Sequence, residues 1–130
     1  MKIALFFLSF LFLISCSKEL KYPASEMWHM AYEKDPTIEL VLVTDPAKRI
    51  LCENYQVKGC ISGSGKRIKV RLIELIAIEF TSEKAAREAA LVYDQYYARN
   101  WLFDEVKGEP VLEDFIKNVY NAKNPKKKEP

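Results

Sequence analysis

The chain has 130 residues, of which 49% are hydrophobic and 29% are charged, with only four glycines. This composition favours one compact folded domain and excludes a collagen-like or low-complexity polymer. Twenty basic and eighteen acidic residues leave a net charge of +2, whereas nucleic-acid-binding domains are usually strongly basic. We therefore expect no nucleic-acid partner.

Apolar residues are concentrated at the N-terminus, where residues 1–15 contain twelve of them and four of the seven phenylalanines. One basic residue, Lys2, precedes a run of twelve mostly apolar residues that ends before Ser15. This arrangement is typical of a secretory signal peptide. As a helix the run would be about 18 Å long, too short for the ~30 Å hydrocarbon core of a bilayer. We predict a cleaved signal over residues 1–15.

The end of this segment, Leu13-Ile14-Ser15-Cys16, resembles the lipobox of bacterial lipoproteins. The resemblance implies cleavage after Ser15, a thioether between Cys16 and diacylglycerol, and acylation of the new amino group, for example with palmitate. Two or more acyl chains hold a protein stably at a membrane, whereas a single chain binds marginally. The alternative is an ordinary cleaved signal followed by an incidental cysteine.

Ser17 follows this cysteine, and in the enterobacterial sorting pattern residues other than Asp mostly permit export to the outer membrane. The resemblance therefore implies a lipid-anchored protein of the bacterial cell envelope, at the outer membrane and facing the periplasm. Residues 16–24 are predicted to form a short lipidated tether that keeps a single domain over residues 25–123 close to the membrane. Residues 124–130 are predicted to be a basic disordered tail.

Two further cysteines, Cys52 and Cys60, remain in the exported part of the chain. Because exported compartments are oxidising, an even remainder favours a structural disulfide. Free thiols, a redox pair and a metal site are the alternatives. The spacing is not Cys-x-x-Cys, and His29 is the only histidine, so we expect neither a metal nor another cofactor.

In the first half of the domain, the sequence predicts a helix, a strand, a second helix and a second strand. Ser25 can cap the first helix, and β-branched residues predict a strand over 38–44. Asp45-Pro46 is typical of a helix start, and we extend this second helix to Asn54. The second strand is predicted over 57–62.

A turn at Gly63-Ser64-Gly65 leads into a long alternating segment from Arg67 to Phe80. This segment predicts a strand with a bulge or bend near Glu74. Its predicted core face consists of alternate apolar residues, namely Ile68, Val70, Leu72, Ile76, Ile78 and Phe80.

Ser82 is predicted to cap a long helix that continues to Arg99. A last strand follows over 101–106, and Pro110 begins a final helix. The order strand, helix, strand, strand, helix, strand is that of the ferredoxin-like split βαβ arrangement, here with one extra helix at each end. We therefore predict an α+β domain with this βαββαβ topology.

No set of residues in the sequence defines a catalytic site. His29 is interpreted as a packed or surface residue, and no serine lies in a recognisable nucleophile elbow. Gly63-Ser64-Gly65-Lys66 lacks two residues of a phosphate-binding loop and is interpreted as a hairpin turn. We expect a protein that is not an enzyme.

Charged and aromatic residues supply the other candidate surfaces. The basic ones lie on a hairpin edge (Lys66, Arg67, Lys69, Arg71) and in the tail (Lys126, Lys127, Lys128), and the acidic ones are Asp104, Glu105, Glu109, Glu113 and Asp114. Basic residues suit anionic headgroups, but we favour a charged strand that resists edge-to-edge pairing. We expect the acidic residues to be solvated. Tyr93, Tyr96, Tyr97, Trp101 and Tyr120 could line a partner groove, and we favour a role in the core.

These observations predict a membrane-anchored envelope lipoprotein, held in the bilayer through acylated Cys16, that acts as a non-enzymatic interaction or structural module and contacts another envelope protein. The alternative is a periplasmic module that binds a small ligand or an anionic glycan. A pocket of several hundred Å³ with converging polar groups would favour the alternative, and a fully packed sheet face would exclude it.

Overall fold

A computed structural model of the chain describes residues 20–127. The predicted signal peptide, the first four residues of the tether including Cys16, and the last three residues of the tail lie outside this range. Over the described part of the chain, no helix combines the length and apolar character needed to cross a membrane.

The described residues form three helices and one five-stranded sheet. The helices are Ala24–Lys34 (α1), Glu83–Tyr93 (α2) and Pro110–Tyr120 (α3), and the strands are Glu39–Val41 (β1), Lys66–Val70 (β2), Ile73–Glu79 (β3), Tyr96–Ala98 (β4) and Trp101–Asp104 (β5). The strand order is β1-β2-β3-β5-β4, and all neighbours are antiparallel. The predicted α+β class is confirmed. The ferredoxin-like topology is not confirmed, because the strand order differs.

Both faces of the sheet are covered, which divides the core into two layers. On one face, α1 and α3 pack on residues that include Leu75 and Ala77. On the other, α2 and the segment 45–62 pack on residues that include Ile76 and Ile78. Since β3 is buried on both sides, its centre is continuously apolar rather than alternating.

The long alternating segment is two strands, β2 and β3, joined by a tight turn. Arg71 and Leu72 have positive φ angles of 48° and 73°, as in the two-residue turns that suit antiparallel hairpins. The turn shifts the alternation, so that Ile68 pairs with Leu75 on one face while Ile76 lies on the other. Leu72, predicted to be in the core, is 87% exposed.

The second predicted helix is instead two short 3-10 helices, Pro46–Lys48 and Cys52–Asn54. Its predicted start is correct, because Asp45 Oδ1 accepts a hydrogen bond from the backbone N–H of Ala47. Arg49 then adopts an extended conformation with ψ of 138°, and this ends the first helical turn.

The strand predicted over 57–62 is not formed, since this segment contributes only an isolated bridge between Cys60 and Phe80. The chain instead comes into close contact with the start of α2 at Gly59. A Cβ atom at this position would lie 2.8 Å from the Cβ of Ala85, and the φ angle of Gly59 is +88°. Glycine is therefore needed here both for space and for backbone conformation.

The helix predicted to continue to Arg99 ends at Tyr93. Its N-cap is as predicted, because Ser82 Oγ accepts a hydrogen bond from the N–H of Ala85. At the other end Asp94 adopts the left-handed conformation, with φ of 53°, which stops an α-helix. The following residues form β4, which pairs with β5 in a hairpin.

Candidate functional site

A groove of about 620 Å³ opens between the C-terminal end of α1, the β2–β3 turn and α3. The two helices lie on the same face of the sheet, and their contact leaves this end of the layer open. Ligand pockets in proteins typically have volumes of several hundred Å³. The groove is therefore the candidate functional site.

The floor of the groove is apolar. Val70, at the end of β2, is 2% exposed, and Phe115 of α3 is 9% exposed. Val111 and Val119, one turn before and after Phe115 on α3, are partly buried and complete the apolar lining. Such a floor favours ligands or peptide segments that carry an apolar group.

The walls of the groove carry charges of both signs. Lys34 and Arg71 lie on the side formed by α1 and the β2–β3 turn, while Asp114 and Asn118 lie one helical turn apart on α3. Arg71 lies in the β2–β3 turn, where its left-handed backbone conformation helps to close the hairpin. The groove can therefore bind an anionic group of a ligand at Lys34 and Arg71 and a cationic group at Asp114.

Asp35 is held in a fixed orientation at the α1 end of the groove. Its Oδ1 accepts hydrogen bonds from the Oγ1 and the backbone N–H of Thr37, at 2.6 and 2.9 Å. These hydrogen bonds, together with the nearby positive charge of Arg71, lower the pKa of Asp35. The carboxyl group is thus ionised at neutral pH and adds a fixed negative charge to the groove.

The structure separates the predicted group of basic hairpin residues. β2 is an internal strand between β1 and β3. The prediction that these residues protect a sheet edge is therefore wrong. Arg71 lines the groove, whereas Lys66 borders a separate apolar pocket. Arg67 lies on the α2 side of the sheet, with Nη1 3.4 Å from Glu105 and 3.8 Å from Glu74.

The predicted acidic group is also divided, and only Asp114 lines the groove. Asp104 accepts a 2.5 Å hydrogen bond from the hydroxyl of Tyr55, and Glu113 accepts one from Tyr96. Burial and these carboxylates raise the pKa of both tyrosines. Both hydroxyls therefore remain neutral hydrogen-bond donors at neutral pH.

The aromatic residues belong to the core rather than to the groove. Tyr96, Trp101 and Tyr120 are each less than 5% exposed. Tyr97 packs against the α2 layer, and Tyr93 lies edge-on to Tyr55 with ring centroids 5.2 Å apart.

His29 is a surface residue of α1. Its side chain is 71% exposed, and its Nε2 lies 2.9 Å from Glu33 one turn later.

Ser64, in the predicted turn, donates a 2.6 Å hydrogen bond to the backbone carbonyl of Ile61 and accepts one from the N–H of Glu79. The side chain of Ser64 therefore secures the turn to the end of β3.

Cys52 and Cys60 form the predicted disulfide, with Cα atoms 5.7 Å apart. Among the described residues, no group of three or more histidine, cysteine or acidic side chains is placed to hold a metal ion.

Comparison of the chain with protein families, with curated proteins and with solved structures gives no match.

Sequence reasoning missed the groove. It predicted the last helix, beginning at Pro110, without a cavity beside it, and it gave no role to Lys34 or Asn118. No local sequence pattern predicts the groove, because the groove depends on the distance between α1 and α3.

Proposed function

We propose that the protein is a lipoprotein of the bacterial cell envelope, anchored through acylated Cys16, whose domain is a non-enzymatic binding module. The lipobox-like sequence Leu13-Ile14-Ser15-Cys16 supports the anchor. The Cys52–Cys60 disulfide agrees with it, because disulfides persist in oxidising exported compartments. In the enterobacterial sorting pattern, a residue such as Ser17 permits export to the outer membrane, and we propose that the domain faces the periplasm from there.

The groove between α1 and α3 is the observation that carries the binding role. Its apolar floor at Val70 and Phe115, between walls that carry charges of both signs, suits a short peptide segment that bears an apolar side chain and charges of both signs. We propose that such a segment of another envelope protein is the natural occupant.

A photocrosslinking residue in place of Asn118, in the full chain and in living cells, tests this role. Asn118 is exposed and lines the groove, so the substitution leaves the core intact. The matched control carries the same residue at Val92 of α2, which is 62% exposed and belongs to the helix on the other face of the sheet. We expect a discrete protein adduct from position 118 and none from position 92. Equal labelling, or none from either position, would contradict the role.

A small ligand or an anionic glycan is the second candidate occupant, and it is favoured by the groove volume of about 620 Å³ and by Lys34 and Arg71, which both present positive charge to the groove. The same crosslinking experiment separates the candidates, since a glycan adds a heterogeneous mass that glycosidases remove. The variant Arg71→Glu should abolish binding of an anionic glycan. It should weaken a peptide complex only in part, because the apolar floor remains.

A further inference from the structure

One flank of α1, the adjacent edge strand β1 and the residue after it carry apolar side chains that are exposed or, for Trp28, partly buried. Trp28 stacks on Tyr32 with ring centroids 6.4 Å apart and an interplanar angle of 29°. Tyr32 is 49% exposed, and Leu40 and Leu42 are 52% and 84% exposed. We call these four residues the α1–β1 surface.

Trp28 connects Tyr32 to Leu40 within the α1–β1 surface, and Leu42 follows Leu40 by two residues. Trp28 and Leu40 line the same small apolar pocket, of about 180 Å³, whose inner wall includes Ile68 and Trp101. Single exposed leucines are common on protein surfaces, but a continuous apolar patch that includes aromatic rings marks an interaction site.

The nearby acidic side chains point away from the α1–β1 surface. At about 100° per residue, the helix places Glu33 about 140° and Glu26 about 160° around α1 from Trp28. Glu39 precedes Leu40 in β1, so its side chain lies on the opposite face of the sheet. The surface therefore presents aromatic and aliphatic groups without an adjacent carboxylate from these positions.

The chain between the proposed anchor and this surface is short. Leu20 lies four residues after Cys16, a distance of at most about 14 Å when fully extended. Tyr22 is fixed to the core through both of its backbone polar groups, and α1 begins two residues later. Anchoring at Cys16 would therefore hold α1 within reach of the bilayer surface.

We propose that the α1–β1 surface rests on the lipid bilayer, with Trp28 and Tyr32 at the level of the headgroups and Leu40 and Leu42 directed towards the acyl chains. This inference depends on the proposed anchor at Cys16. Aromatic side chains prefer the membrane interface because one part of the ring system is apolar and another is polar. The groove opens at the C-terminal end of α1 and shares no lining residue with the pocket at Trp28 and Leu40, so this orientation leaves it open to the periplasm.

Quenching of tryptophan fluorescence by brominated lipid tests the orientation. The full anchored protein, purified from membranes, is reconstituted into phosphatidylcholine vesicles with or without bromine on the acyl chains. Trp101 is 3% exposed and lies behind Trp28 in the inner wall of the pocket, so Trp28 is the tryptophan with the greater access to lipid. We expect a loss of emission in brominated vesicles for the wild type and a much smaller loss for Trp28→Phe.

Two further variants supply a matched comparison in the Trp28→Phe background. Leu42→Trp should be quenched, whereas Val92→Trp, at an apolar site on α2 that is 62% exposed, should not be. Flotation with the vesicles reports the anchor separately. Protein that floats without quenching at 28 or 42 overturns the orientation alone, and crosslinking between copies at these positions would assign the surface to a dimer. Protein that does not float overturns both the anchor and the orientation.

Discussion

The backbone N–H of Tyr22 donates a 2.8 Å hydrogen bond to Oδ1 of Asn100, 78 residues later in the chain. Asn100 is 1% exposed and lies in the turn between β4 and β5. The indole N–H of Trp101 in turn donates to the backbone carbonyl of Tyr22, also at 2.8 Å. The point at which the chain enters the domain is therefore fixed by two buried hydrogen bonds.

Asn100→Ala should destabilise the domain. Loss of the side chain leaves the buried N–H of Tyr22 without its acceptor, and a buried donor left unpaired costs about 1–3 kcal/mol. Asn118→Ala is the same chemical change at an exposed groove position and should alter stability by less than about 0.5 kcal/mol. Urea unfolding of the two variants compares these costs. Equal destabilisation would show that the Tyr22–Asn100 contact adds little.

Removal of the disulfide should also lower stability. The Cys52–Cys60 bond closes a loop of about nine residues, which in the chain-entropy model contributes roughly 2–3 kcal/mol. The double variant Cys52→Ala, Cys60→Ala should lose this amount in urea unfolding. A reducing agent should destabilise the wild type and leave the double variant unchanged. A wild type that is insensitive to reductant would contradict a structural bond.

Acid should weaken the domain through Asp94. Hydrogen bonds from Lys107 and Asn124 lower the pKa of this carboxyl group below its ordinary value of 3.8. Because the folded pKa is the lower one, the stabilisation is complete well above pH 3.8 and is lost as the pH falls through the folded pKa.

Asp94→Asn tests this pH dependence, because asparagine tolerates the left-handed backbone at this position. The variant should be less stable than the wild type at neutral pH, and the two melting temperatures should converge as the pH falls below 3.8. Lys107→Met removes one partner of Asp94, and its melting temperature should converge with that of the wild type in the same way. A constant difference at every pH would contradict the assignment.

Filling the groove should block binding without unfolding the protein. Asn118→Trp places a large side chain in the groove, and its exposed position predicts a stability change within about 0.5 kcal/mol. With the photocrosslinker moved to Lys34 on the opposite wall, we expect this variant to lose the adduct. Val92→Trp should retain it. Persistence of the adduct in Asn118→Trp would place the occupant elsewhere.

Local signals in the sequence predict several elements correctly. Ser82 starts α2 and Pro110 starts α3, since capping oxygens and a preset proline φ act within one helical turn. Cys52 and Cys60 form the predicted disulfide.

The sequence misleads where non-glycine residues adopt the left-handed conformation. Leu72 and Asp94, with φ angles of 73° and 53°, end β2 and α2 respectively, although neither residue is a strong turn signal within its segment. Each turn reverses the direction of the chain. As a result, the number of strands and their order in the sheet both differ from the prediction. Tertiary packing on the two faces of β3 selects these turns, and a local pattern does not contain that information.

The intact mass of the protein purified from membranes of the bacteria that express it tests the central claim most directly. We predict a chain that begins at Cys16 and carries the mass of a diacylglyceryl group and one further acyl chain, with Cys52 and Cys60 oxidised. A chain that retains residues 1–15, or one with an unmodified thiol at Cys16, would contradict the account.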